Sequence, residues 1–298
     1  MARRGGLAQR VGLALSAFGL LLALPSSVPA LPSGAPPAPP APNMRTADFV
    51  LAGQFTQGGW LRGTAPLGTT ALLLDGRPVR FASDGSFFAA FDRDAGLSAE
   101  LVAQRGNQAP VKRVLGISPR AWQIERVNAP FHPPAMADAD FARIRKTELA
   151  QIGAARATAT DATGWQQDFA WPLKGAIRGR FGAQRIYRGI AAAYHAGLDI
   201  AGVQGTPYVA PADGVVVLAA PAPFTLEGNL LIIDHGAGLS SAFLHASRLA
   251  VKAGDHVAKG QLLGWVGMTG RATGPHLHWA LKWRDARLDP LLFVVPGA

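Results

Sequence analysis

The sequence predicts a mostly β protein that ends in an antiparallel β domain. Three observations carry this: 35 glycines and 23 prolines punctuate the 298 residues, Asp-Gly pairs separate short apolar runs, and hydrophobic residues (49%) far outnumber charged ones (16%). Glycine after aspartate supplies the positive φ angles of tight hairpins, and this apolar content excludes a disordered chain over most of the length. At this length two folded units are expected, each large enough to bury a core.

Residues 1–30 read as a secretory signal peptide. Arg3, Arg4 and Arg10 precede an apolar run from Val11 to Leu24, followed by Pro25 and the small-residue stretch Val28-Pro29-Ala30. The run is shorter than the roughly 18–20 residues that span a bilayer, so cleavage near Ala30 is expected, and membrane attachment only if the segment stays uncleaved. Export to the periplasm or cell envelope follows. Residues 31–43 are a Pro-rich linker that cannot build a core.

Residues 44–120 carry apolar runs at Phe49 to Phe55, Ala71 to Leu74, Ser86 to Phe91, Leu101 to Gln104 and Val111 to Leu115, with Asp75-Gly76 and Asp84-Gly85 between them. Short strands at this spacing predict a small β-sandwich of immunoglobulin-like size, read as a spacer or positioning module. Residues 121–165 are expected to be a helical connector containing His132, with a helix from Asp138 to about Ala159 and Asp138 as its N-cap. Residues 166–298 return to strand patterns separated by Gly-rich turns, such as Asp213-Gly214 before Val215-Val216-Val217.

The net charge of +10 suits an anionic polymer or surface. No Lys/Arg cluster is interleaved with aromatics, which argues against nucleic acid. With no cysteine, disulfides, thiolate ligands and cysteine nucleophiles are all excluded.

The chemistry concentrates near the C terminus. In Pro275-His276-Leu277-His278-Trp279 the two imidazoles project from one face of a strand, and Leu277 and Trp279 enter the other. His195 and Asp199 are evenly spaced in His195-Ala196-Gly197-Leu198-Asp199, and His245 lies in a further strand. Imidazole nitrogens and a carboxylate suit zinc, whose catalytic sites take three protein ligands and leave one position open. Five candidates exceed that need, so two can remain beside the metal to move protons or stabilise an oxyanion. His235 and His256 fall in turn sequences and are expected to be solvated, Trp279 and Trp283 to fill the core, and Tyr194 to line a groove. The segment from Gln184 to Tyr194 is read as a flap.

Several stretches together resemble the M23 (lysostaphin/LytM-type) zinc metallopeptidases: Trp171-Pro172-Leu173, Phe181-Gly182, His195 to Asp199, Gly205-Thr206-Pro207, Ala210 to Gly214, Asp234-His235-Gly236, His245, and Thr269-Gly270-Arg271-Ala272-Thr273-Gly274-Pro275-His276-Leu277-His278. The resemblance implies that His195, Asp199 and His278 bind one zinc ion and that His245 and His276 form the catalytic pair. It further implies an antiparallel β fold with a groove, and an endopeptidase acting on peptide cross-links of peptidoglycan, with room for a regulatory protein partner. The alternative within the family is an inactive member that binds and activates a cell-wall amidase. Such members lack zinc ligands, whereas all five positions are filled here.

Overall fold

This computed structural model describes residues 46–130 and 139–295. The expected signal peptide, the Pro-rich linker, His132 and the Asp138 cap lie outside the described residues. The rest is mostly β, as expected, and the described residues contain no helix long and apolar enough to cross a membrane.

The first strands form two sheets. One pairs Val50–Gly53, Trp60–Thr64 and Ser86–Ala90; the other runs in the order Arg77–Val79, Ala71–Leu74, Ser98–Arg105, Gln108–Gly116. Asp75 and Gly76 take φ values of 48° and 76°, which closes the Ala71–Leu74 hairpin as the Asp-Gly signal predicts. Ser98–Arg105 alternates, burying Ala99, Leu101 and Ala103. Ser86–Ala90 instead is buried at four consecutive positions, because both of its faces are covered. Phe87 meets Phe49 in an edge contact at 6.3 Å, whereas Phe88 faces Trp283 and Phe293 near the C terminus.

Hydrophobic residues of these sheets therefore share one buried core with those of the C-terminal half. Polar contacts reinforce the junction: Trp60 Nε1 donates to Leu292 O at 2.8 Å, Arg62 Nε to Trp165 O at 2.7 Å, and Arg120 pairs with buried Asp289 at 2.8 Å.

The C-terminal sheet is antiparallel, in the order His256–Val257, Gly214–Ala219, Asn229–Asp234, Leu239–Ala246, His276–Trp283, Leu198–Ala201, Ile177–Gly179, with Ala286–Leu288 also paired to His276–Trp283. One face packs Leu198, Ile200, Phe243, Leu277 and Trp279 into the shared core. On the opposite face lies the helix Ala139–Ala157, whose Ile152 and Ala155 pack against Phe224, Leu230, Ile232 and Ala242. Buried Glu148 fastens it, accepting from Thr225 N at 2.6 Å and Thr225 Oγ1 at 2.7 Å, while Arg145 bridges Glu148 and Glu227. This segment thus does more than connect: it forms a wall on the sheet.

His235 corrects the expectation of a solvated turn. Its ring is fully buried, with Nδ1 2.7 Å from Asp213 O, Nε2 2.7 Å from Ser241 Oγ and its edge against Phe169. Positive φ at Gly236, Ala237 and Gly238 completes the turn beyond it, leaving the ring beneath the chain. Burial pushes its pKa down to about 4, despite the hydrogen bond to Asp213 O. Below about pH 6.5 the unfolded chain takes up this proton first, so stability is lost as pH falls from about 6.5 to about 4, by up to about 3 kcal/mol. Urea unfolding between pH 4 and 7 should therefore show a shallower pH slope for His235→Gln than for wild type, and equal slopes would refute the assignment.

Candidate metal and catalytic centre

Strand alternation places the first two histidines. Along His276–Trp283 the even positions are half-buried and the odd ones buried, so His276 and His278 share a face opposite Leu277 and Trp279. The neighbouring strand then supplies the carboxylate. Asp199 stands directly across from His278 in the antiparallel register, and Ala201 across from His276. Side chains so paired lie on one face about 4.5–5.5 Å apart at Cβ.

His195 precedes that strand and reaches the same point. Its Nε2 lies 3.1 Å from Asp199 Oδ1 and 3.2 Å from His278 Nδ1, and His278 Nδ1 is 2.8 Å from Asp199 Oδ1. A backbone carbonyl can only accept, so the 3.0 Å contact between His195 Nδ1 and Arg180 O puts the proton on Nδ1 and leaves the Nε2 lone pair aimed at the cluster. Tetrahedral zinc with bonds of about 2.0–2.1 Å separates its ligand atoms by roughly 3.3 Å. The observed spacings approach this, and lone pairs gathered so closely repel one another unless a cation or proton lies between them. The donor set therefore fits a single divalent ion.

The charge states agree with that reading. Burial alone would raise the Asp199 pKa, but the close ring nitrogens of His195 and His278 outweigh it and hold the carboxylate well below the usual range. Burial alone would lower His195, but the hydrogen bond and charge of Asp199 reverse the sign. His278 is lowered, chiefly by burial.

His245 arrives by a different device. In Leu239–Ala246, alternation sends Ser241 and Phe243 into the core, and regular continuation would send His245 after them. The register shifts here: Asn229 pairs with Ala246, but Leu231 pairs with Phe243, which leaves one extra residue on the histidine strand. His245 adopts φ 64°, and the bulge turns its ring toward His276, at 5.0 Å between centroids. Its Nδ1 donates to Thr269 O at 2.9 Å, just as His276 Nδ1 donates to Gly274 O at 2.8 Å. Both rings are thus fixed with Nδ1 as the donor and the lone pair on Nε2, that of His276 lying 3.7 Å from Asp199 Oδ1. Burial lowers the His245 pKa, the hydrogen bond to Thr269 opposes it, and the neighbouring His276 and His278 lower it further, which favours the neutral ring.

The structure brings together all five residues singled out by sequence. It also adds groups that sequence reading missed. The segment read as a flap is a hairpin, Gln184–Tyr187 with Ile190–Ala191, and it pairs in parallel with Ile124–Val127 from the expected helical connector. Tyr194 packs edge-on against Phe181, which in turn contacts Trp122. Arg93, buried in the loop after Ser86–Ala90, reaches across to this segment. It donates to Gly182 O at 3.0 Å and Gln184 Oε1 at 3.2 Å, and lies over the Tyr194 ring at 4.4 Å. Gly182 N donates to His195 O at 2.9 Å, so Arg93 braces the segment that carries the first ligand. No local pattern around Arg93 signals this role.

Comparison with known proteins matches residues 193–290 to Peptidase family M23. Peptidoglycan DD-endopeptidase ShyA of Vibrio cholerae is 41% identical over 104 residues, which is 35% of this chain and 24% of that protein. Cell division protein DipM of Caulobacter vibrioides is 35% identical over 129 residues, 43% of this chain and 20% of that protein. The chain thus spans a quarter or less of the length of these relatives. Among solved structures, a putative peptidase M23 from Pseudomonas aeruginosa superposes with a TM-score of 0.60 at 26% identity, covering 81% of this chain and 95% of that one.

Substitutions at two positions test the construction. A Cβ on Gly197 would stand 2.5 Å from His278 Nε2 and 2.7 Å from Trp279 O, so Gly197→Ala must displace the ligand ring. We expect it to weaken zinc binding, measured by competition with a chromophoric chelator, at least about tenfold, an effect typical of disturbing a ligand's support. Arg93→Ala should weaken zinc binding in the same assay and Arg93→Lys less so; unchanged affinity in both would remove the bracing role.

Proposed function

We propose, for a chain whose C-terminal domain belongs to peptidase family M23, that it is a zinc-dependent endopeptidase hydrolysing peptide cross-links of bacterial peptidoglycan. The observation that carries this reading is the convergence of His195 Nε2, Asp199 Oδ1 and His278 Nδ1 within 3.2 Å of one another, beside two histidines, His245 and His276, whose Nδ1 atoms are held by backbone carbonyls. The names of the relatives, DD-endopeptidases of peptidoglycan among them, support the substrate class.

His195, Asp199 and His278 would hold the ion. When bound, zinc supplies a Lewis acid that polarises the scissile carbonyl and lowers the pKa of water toward neutrality. The chain's own residues do the rest. His245 and His276 engage backbone carbonyls through Nδ1 and leave the Nε2 lone pair for chemistry, so either can take the proton of the attacking water. The ring that takes it becomes an imidazolium, which stabilises the oxyanion and then returns the proton to the leaving amine. The carbonyls of Thr269 and Gly274 keep both rings in the required tautomer throughout.

The basic and then apolar composition of residues 1–30 supports export to the cell envelope, where this substrate lies.

Digestion of purified peptidoglycan with mass analysis of the released muropeptides tests the reading. Wild type should release cleaved cross-links, and a chelator should abolish release until zinc is restored. His245→Ala and His276→Ala should each lower kcat by about 10²–10⁴, the range for a lost general base, with zinc content unchanged. Asp199→Ala and His278→Ala should lose zinc and activity together. Chelator-resistant cleavage, or variants of His245 and His276 that keep full kcat, would overturn the mechanism.

A further inference from the structure

The sheet face bearing the histidines continues beyond them into a short cleft to which the mechanism assigns no task. His276, His278, Ala280 and Lys282 alternate onto this face. At strand rise, Ala280 lies ~7 Å and Lys282 ~13 Å along from His278. The register sets Lys282 between Ser240 on one neighbouring strand and Arg287 on the other. Arg156, in the last turn of the helix, and Ala196, next to ligand His195, also line the cleft.

Three cations thus converge beside the site without a direct ion pair, although Asp92, Asp285 and Glu227 act on them from farther off. Among the described residues, none of Arg156, Lys282 and Arg287 forms an ion pair. Elsewhere the chain compensates its shielded cations: Arg62 has Asp168, and Arg145 has Glu148 and Glu227. Lys282 is half-buried, and burial followed by repulsion from Arg156 and Arg287 lowers its pKa, with Asp285 and Asp92 opposing in part. Arg287 is held in place, with its guanidinium 5.3 Å from the centre of the Tyr194 ring and its backbone N–H donating to Asp92 Oδ2 at 2.8 Å. Like charges gathered this way are unfavourable until an anion enters, and guanidinium groups match the two oxygens of a carboxylate.

We propose that Arg156, Lys282 and Arg287 form a subsite for a free carboxylate on the substrate peptide, roughly two to four residues from the scissile bond at extended spacing. The inference rests on the peptidase reading and specifies it: the groove selects acidic peptides and orients them with the carboxylate toward Lys282.

The test uses the full chain carrying His245→Ala to prevent turnover, titrated calorimetrically with a soluble cross-linked muropeptide and with the same peptide after conversion of its carboxylates to carboxamides. The acid form should bind about tenfold more tightly, in the range of one charge-assisted hydrogen bond. Lys282→Gln and Arg287→Gln should each reduce that preference toward unity, and Lys282→Arg should retain it. Arg287 is exposed, so its variant tests the idea even if Lys282→Gln destabilises the fold. Equal binding of the two peptides by the parent protein, or a preference that survives both neutral variants, would overturn the subsite. Absence of wall hydrolysis by the wild-type chain would instead remove the peptidase reading and leave the binding difference standing.

Discussion

The register between Leu198–Ala201 and His276–Trp283 is the constraint on which the centre depends. It sets Asp199 opposite His278, and a slip of one residue would turn the carboxylate toward the core and expose Ile200. Packing on the far face forbids that slip. Leu198, Ile200, Leu277 and Trp279 are all fully buried there, each side chain contributing about 1.5–3 kcal/mol on transfer from water. Apolar packing on one side of a sheet thus fixes the spacing of polar donors on the other, without any of those apolar residues touching the ion.

The sheet does not account for every donor. His195 lies outside a strand, and its position follows from Arg180 O, Gly182 and the hairpin after it, which in turn lean on Arg93, Trp122 and Ile124–Val127. These supports come from the N-terminal half of the chain. A module read from sequence as a spacer or positioning module thus shares the core of the C-terminal sheet and, through Arg93, contributes to one side of its site. The helix Ala139–Ala157 contributes the opposite side, because Ile152 and Ala155 pack on the face that bears the histidines.

Much of this was legible in the sequence, and the limits have physical causes. Alternation in His276-Leu277-His278-Trp279 predicts which side chains face the site, and the Asp-Gly turn at 75 and 76 forms as its φ requirement demands. Alternation fails at His245, because a bulge is a property of two strands' pairing and leaves no period in one strand's sequence. Resemblance to a family gave that residue its role, which spacing could not. His235 was misjudged for a related reason: Asp-His-Gly reads as a turn, but whether a turn is covered depends on Phe169 and Ser241, residues distant in the chain or across the sheet. Arg93 and Arg156 were invisible because an arginine's partner is set by tertiary contacts alone.

Charge balance ties the groove together. At the centre a single carboxylate, Asp199, faces the imidazoles, two of which, His245 and His278, burial holds toward the neutral form, so a divalent ion bound there would leave a net positive site. That sign is the useful one for a reaction in which negative charge grows on a carbonyl oxygen, since preorganised positive potential stabilises the transition state more than the neutral ground state. Lys282 on the same strand, Arg287 on the next and Arg156 on the helix extend that potential toward Lys282. A peptide lying in the groove would therefore meet an asymmetric field whose gradient sets its polarity before any contact at the reacting bond is made.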